Sequence, residues 1–435
     1  MKPFASPLTD RLTLIKQALG LPLIRLNDER PASQQQPHPG RPPHAAGGDN
    51  LELVLEDAAD PALLPLWQDL LAHSESAEKL YQSPGFFGFL KVRSSPGQFD
   101  LYSLRRPGEE AILALVPVRR GDESIDFFGG RLPRLTPTLN VIRILGSTAL
   151  IGADLSLTPV IVRTLLARYP DVDAISMPSV PHDSQWWQAL EQIDRKLAGV
   201  HVWNDWQNCH TIPLPESFEA YMKQFSAKKR YNITRQIKQL ETAAGTATVE
   251  AVTSAAQVED LLAAARTVLK GPLLSGWLSA QSYQAMADQG LLLSYVIRCG
   301  DTPCGVVLGS TACGVWHIHN IVGDQAYAAF SVGTSVLHLA LKHALDTLGV
   351  QRIDLGYGKP NRDFNSSHAI QRRGHVLVYR PSLRNHLLLR GHDRLRRSVA
   401  AAKPLLQGLG KRVREFDLKA ALRRAKPAAP DSKAS

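Results

Sequence analysis

The chain changes hydrophobic period from place to place, and each period predicts an element. "LELVLE" from Leu51 alternates like a strand, as do "FDLYSL", "AILALVPVRR" and "SIDFFGG". "PALLPLWQDLLAHS" has helical spacing with Pro at its first turn, "LTPVIVRTLLARYP" reads as a helix, and "DAISMP" as a short strand. A second unit begins after "HTIPLP". Residues Glu216 to Phe225 read as a helix, and Ser226 caps the next, "AKKRYNITRQIKQLE". "AAQVEDLLAAARTVLK" is helical. "LLLSYVIR", "CGVVLGS" and "GVWHIHNIV" then read as an antiparallel meander. A helix from Thr334 to Leu348 follows, with Leu337, Leu341, Leu345 and Leu348 on one stripe and His338, Lys342 and Asp346 on another. "RIDLG" and "HVLVY" close the pattern as strands.

This alternation predicts a mixed α/β (α+β) protein of two successive units. Residues 27–50, rich in Pro, Gly, Gln and His, predict a disordered linker after a short helix near Leu8 to Leu19. The expected organisation is an N-terminal segment 1–50, a first α/β domain 51–210, a second 211–381, and a basic helical or disordered tail 382–435.

Composition narrows the function. The chain has 435 residues, 44% of them hydrophobic, which suits two or three globular domains. Four cysteines, with no CxxC pair and no Cys/His zinc spacing, predict a reduced cytoplasmic setting and no metal. "MKPFASPLTDRL" lacks an apolar core followed by a cleavage site, so no signal peptide is expected, and no apolar run is long enough to span a bilayer. The net charge of +10 favours anionic partners, yet much of it lies between Arg380 and Lys426. That tail places Leu387 to Leu389 and Leu405, Leu406 and Leu409 among cations, a pattern suited to peripheral contact with the inner face of a membrane. No nucleic-acid module is legible.

The candidate chemistry lies in "FSVGTSVLHLALKHALDTLGVQRIDLGYG". Gly333 stands at a helix start, where unpaired N–H groups and the helix dipole favour an anion. "VWHIHNIV" alternates, placing Val315, His317, His319 and Ile321 on one face and Trp316, Ile318, Asn320 and Val322 on the other. His317 and His319 are candidate bases, and Asp354 at a strand end can act as a base or orient a histidine. Tyr357, between two glycines, is a candidate proton donor to a leaving thiolate. Lys228, Arg230 and Arg235 on the basic helix are candidate contacts for an acidic acceptor or for cofactor phosphates.

Four stretches, "WQDLLAHSESAEKLYQSPGFFGFLK", "FSAKKRYNITRQIKQLE", "FSVGTSVLHLALKHALDTLG" and "RIDLGYG", resemble in order and spacing the GNAT acyltransferase superfamily. The resemblance is to its double-domain CelD-like polysaccharide-biosynthesis branch, similar in fold to the Fem peptidyltransferases. It implies two tandem GNAT-like domains, each a mixed, mostly antiparallel sheet flanked by helices. It implies acyl-CoA as co-substrate, in a gap lined by Asn320, Ile321 and Val322, with its pyrophosphate at Ser331, Val332, Gly333 and Thr334. The function it implies is acyl transfer, most simply of acetyl, to an amino- or hydroxyl-bearing small molecule or glycan. The phosphate loop departs from the usual form, with one glycine and no leading Gln or Arg. Two other readings therefore stand: Fem-like aminoacyl transfer from a charged tRNA, and a non-catalytic scaffold for a membrane-associated synthase.

Overall fold

The computed structural model describes residues 51–398, apart from 75, 77, 94–97, 126, 128–135, 153, 155, 270–278 and 358–368. The expected helix near Leu8, the linker 27–50 and the tail past 398 lie outside the described residues. Among the described residues thirteen strands run in chain order: β1 Glu52–Glu56, β2 Phe99–Arg105, β3 Ile112–Ser124, β4 Thr138–Ile144, β5 Leu150–Ile151, β6 Ala174–Pro181, β7 Gly199–Pro213, β8 Ala247–Val252, β9 Ser294–Cys299, β10 Thr302–Ala312, β11 Val315–Gly323, β12 Arg352–Tyr357 and β13 Ala369–Tyr379. They form one sheet, ordered β1-β2-β3-β4-β6-β13-β7-β12-β11-β10-β9-β8, with β5 paired to β3.

The same motif occurs twice in this sheet. An antiparallel run, β1-β2-β3 or β8-β9-β10-β11, leads to a helix and then to a strand that pairs in parallel. The parallel pairs are β4 with β6, across the helix Leu157–Arg168, and β11 with β12, across the helix Val332–Leu348. The two halves exchange strands: β13 lies between β6 and β7, and β7 pairs with β12 on its other edge. The expected boundary at residue 210 falls within β7.

Three apolar cores hold the layers. One packs Trp186, Ile161 and Leu165 against the first half of the sheet. Another packs Val336, Leu337, Leu341 and Trp316 in the second. The third is shared, joining Trp67, Phe86 and Phe87 to Val258, Leu261 and Met286, so the helices near the first strands pack with helices of the second half. Nearly all of this lies in one compact unit, which among the described residues comprises 51–121 and Asn140–Arg380, while the last residues of β3 and the first of β4 fall outside it. A second unit, Asp122–Leu139 with the chain from Pro381, holds the helix 383–398, in which His392 packs edge-on to Phe127 and Arg384 donates to the Thr138 carbonyl. No helix among the described residues is long and apolar enough to cross a membrane.

Candidate acyl-transfer site

The parallel ladder between β11 and β12 is three residues long. It pairs Val315 with Arg352, Trp316 with Ile353 and His317 with Asp354, then stops. β11 continues to Gly323 on β10, and β12 continues to Tyr357 on β7, so the two strands part beyond His317 and Asp354. The facing edges carry backbone N–H and C=O groups that no ladder bond between them consumes. At the far end of β11, Gly323 lies so close to the next helix that a Cβ there would meet the Gly333 amide nitrogen at 3.0 Å. Gly323 lies six positions after His317, a span of about 20 Å at the usual strand rise. The gap therefore runs from a cluster of titratable groups at one end to a helix N-terminus at the other.

That helix begins at Val332, two residues before the start expected from periodicity. Ser331 precedes it in a left-handed conformation, φ 53°, and its side chain caps no helix amide. Its Oγ instead accepts from Gln236 Nε2 at 3.0 Å. Gly333 faces open space among the described residues: a Cβ there would meet none of their atoms within 4 Å. Amides of a first helical turn beside open space suit an anionic phosphate.

β11 corrects one sequence expectation. Its register with β10 slips between Leu308 and Gly309, because Ile318 pairs with Gly309 and Asn320 with Leu308, leaving His319 as the extra residue of a bulge. Strict alternation therefore fails. Ile321 packs in the same core as Trp316 and Ile318, and Val322 packs on the opposite, shared core. Asn320, Ile321 and Val322 are each half-buried along the gap edge, with faces opposite to those that simple alternation assigns. The slip has a local cause. A Cβ on Gly309 would meet the Leu293 and His317 carbonyl oxygens at 2.9 and 2.8 Å, so the backbones approach more closely than any other residue allows.

Around the start of the gap the structure gathers His317, His319, Asp354 and Tyr357, and adds Glu78, Tyr81, Ser179 and Arg373, which sequence reading did not single out. Asp354 Oδ2 lies 3.0 Å from Arg373 Nη1, and its Oδ1 accepts from the Gly356 amide at 2.7 Å. Burial alone would push this carboxyl up, but Arg373, His317 and the Gly356 amide together hold it below its ordinary value. His317, the cross-strand neighbour of Asp354, has its pKa lowered by burial against the opposing pull of Asp354. Its buried Nε2 has no hydrogen-bond partner among the described residues. His319 is lowered to about 4 by burial and by His317, and its Nε2 shares a 2.9 Å hydrogen bond with Ser310 Oγ. Both rings are neutral near pH 7.

Tyr357 donates its hydroxyl proton toward the Pro178 carbonyl, 3.2 Å away, and Ser179 Oγ, 3.0 Å away. Burial and the nearby Glu78 push its pKa up strongly. Lys228 and Arg235 are exposed, and Arg230 turns back to donate to the Phe225 carbonyl at 2.6 Å. These cations share their helix with Gln236, so they flank the Ser331 loop rather than the Asp354 cluster.

Glu78 is the carboxyl that its surroundings shift furthest toward neutral pH among those of the cluster. Burial raises its pKa to about 7, Arg373 pulls against that, and the charge of Asp354 adds to it. The turn that carries Glu78 is pinned from both sides. The Glu78 amide donates to Ser76 Oγ, Ser76 Oγ donates to the Gly146 carbonyl, and Gln82 binds Thr148. Gly146 adopts φ 67°, and a Cβ there would strike the Gln82 side chain. Glu78 in "SESAEKLYQ" carries no periodic or motif signal, so its placement comes only from the fold.

Comparison with known proteins agrees with this geometry. Residues 227–364 match the family described as an acetyltransferase (GNAT) domain. The match covers the meander, the helix at Gly333 and the strand ending in Tyr357, the elements that build the gap. The chain is similar in fold to the crystal structure of FemX, at TM-score 0.52 and 11% identity, covering 78% of this chain and 99% of that one. A tandem GNAT protein from the clavulanic acid biosynthesis pathway aligns at TM-score 0.42 and 12% identity, over 75% of this chain and 98% of its own. L-PGS from Bacillus licheniformis aligns at TM-score 0.43 and 14% identity, over 76% and 95%. No curated protein sequence matches the chain. Among the described residues, no group of three or more His, Cys, Asp or Glu side chains could hold a metal ion.

Proposed function

We propose that the chain is an acyltransferase that moves an acyl group from an acyl-CoA thioester to an amine or hydroxyl. The observation that carries this reading is the three-residue β11–β12 ladder, which opens beside the buried cluster and leads to the open helix start at Gly333. The gap edges offer backbone donors for an extended pantetheine arm and for the thioester oxygen. The amides at Val332 and Gly333 take the pyrophosphate, and Lys228 and Arg235 stand on the neighbouring helix for the remaining phosphate charge.

Glu78 is the base. Its pKa of about 7 leaves a substantial ionised fraction at neutral pH and makes it a better proton acceptor than Asp354, whose carboxylate is held by Arg373. As the acceptor nitrogen or oxygen bonds to the thioester carbon, its proton passes to Glu78; the C–S bond then breaks, and the departing thiolate takes a proton from solvent. Asp354 and Arg373 position β12 against its neighbours and set the field around Glu78. His317, buried, and His319, half-buried, are both neutral and shape the wall of the gap. Tyr357, bonded to Pro178 and Ser179, ties β12 to β6.

The test is thiol release from acetyl-CoA by the full chain with a panel of amine and hydroxyl acceptors, alongside a parallel assay with aminoacyl-tRNA. Acceptor-dependent thiol release supports the reading. Transfer from aminoacyl-tRNA without any from acyl-CoA replaces it with Fem-like chemistry, and inactivity with both favours a scaffold.

A further inference from the structure

A cavity opens beside Glu78, on the side of the first half of the sheet. β3 brings Arg119 to it and β4 brings Arg143, both half-buried. The two guanidinium groups are close enough that Arg143, after burial, is a cause of the lowered pKa of Arg119. Arg119 also lies over the Phe99 ring, 5.2 Å from its centre. Glu78 and Tyr81 also line the cavity, and Tyr81 reaches on to the His317 ring, 6.5 Å between centres. One cavity thus carries a pair of cations together with the carboxylate of the acyl-transfer cluster.

Such a polarity orients a ligand. A guanidinium presents a planar fork that matches carboxylate or phosphate oxygens, and two in one half-buried cavity concentrate that preference. A group that gives up a proton is drawn instead to Glu78. We propose that this cavity is the acceptor subsite and that it selects acceptors bearing a carboxylate or a phosphate, gripped by Arg119 and Arg143, with the acceptor amine or hydroxyl presented to Glu78. The identification as an acceptor subsite rests on the acyltransferase reading above; the anion site itself is tested separately.

The probes are inorganic phosphate and acetate, added to the full chain at constant ionic strength while the melting temperature is followed. The expected result is a saturable rise in melting temperature with at least one of them. The larger response names the source, a phosphorylated or a carboxylated acceptor. In Arg119→Gln and Arg143→Gln the concentration needed should rise at least tenfold, while CoA affinity stays within twofold. If either Gln variant fails to fold, Arg119→Lys and Arg143→Lys keep the charge and lose the fork, and the same weakening is expected. No rise with either anion, or a rise undiminished by substitution at both arginines, overturns the proposal. With the anion site intact, failure of thiol release from acetyl-CoA overturns the acyltransferase reading alone. In an active enzyme, glucosamine 6-phosphate or muramic acid should exceed glucosamine in kcat/KM at least tenfold, and the preference should fall in Arg143→Gln.

Discussion

Asp354 Oδ2 and Arg373 Nη1 stand 3.0 Å apart with their side chains 6% and 3% exposed, reaching from β12 and β13 over the strand that separates them. The pair joins the strand that forms one edge of the gap to the strand exchanged between the two halves. Removing one partner leaves a buried charge without its counter-ion, so Asp354→Ala should destabilise by about 3–5 kcal/mol in urea unfolding. Asp354→Leu with Arg373→Met should cost clearly less than the sum of the single changes. The folded pKa of Asp354 is depressed below 3.8, so its contribution is present above that pH and lost as pH falls through the folded value. The double variant should lack this loss toward acid; identical acid profiles would remove the pair from the account.

Glu78→Gln should lower kcat by about 10²-fold or more with CoA binding retained. Wild-type kcat should rise with pH through about 7 as Glu78 ionises, and the variant should lose that rise. Stability runs the other way. The folded pKa is raised from 4.5 to about 7, so the stabilisation linked to the proton is full below 4.5 and lost as pH rises through about 7. Glu78→Gln should therefore melt higher than wild type at pH 8, relative to their order at pH 4. An unchanged rate profile in Glu78→Gln would assign the base elsewhere.

Much of the fold was legible because it was periodic. The meander, the amphipathic helix ending at Gly349, and the strand through Asp354 all show their period in local sequence. β7 was less visible: "GVHVWNDWQNCHTIP" mixes polar and apolar positions because parts of it are exposed, and its two neighbours come from the far end of the chain. Of the candidate site, part shows in local sequence and part does not. His317, Asp354 and Tyr357 lie next to punctuation that the sequence displays. Glu78, Arg119, Arg143 and Arg373 join it only through long-range pairing, and the bulge at His319 is set by cross-strand crowding at Gly309 that no single strand reveals.

Gly309→Ala should destabilise by about 1–3 kcal/mol, since the added methyl meets two carbonyl oxygens and the Trp316 ring nitrogen, 2.5 Å away, and backbone cannot yield cheaply. Unfolding in urea measures it. A neutral substitution would mean that the bulge does not depend on this close approach.

Gly333→Glu should leave the melting temperature within a few degrees, because the new Cβ enters open space. CoA affinity should fall at least tenfold, about 1.4 kcal/mol, from the loss of room and the added negative charge. Titration calorimetry reads both wild type and variant, and equal affinities would move the phosphate site.

The central claim, that the parting of β11 and β12 holds the acyl donor, is tested most directly by a crystal structure of the full chain grown with CoA. The account predicts the pantetheine arm between the strands beyond His317 and Asp354, the thiol end toward Glu78, and the pyrophosphate on the amides of Val332 and Gly333. CoA bound elsewhere, or a gap that stays empty at saturating CoA in solution, would contradict it.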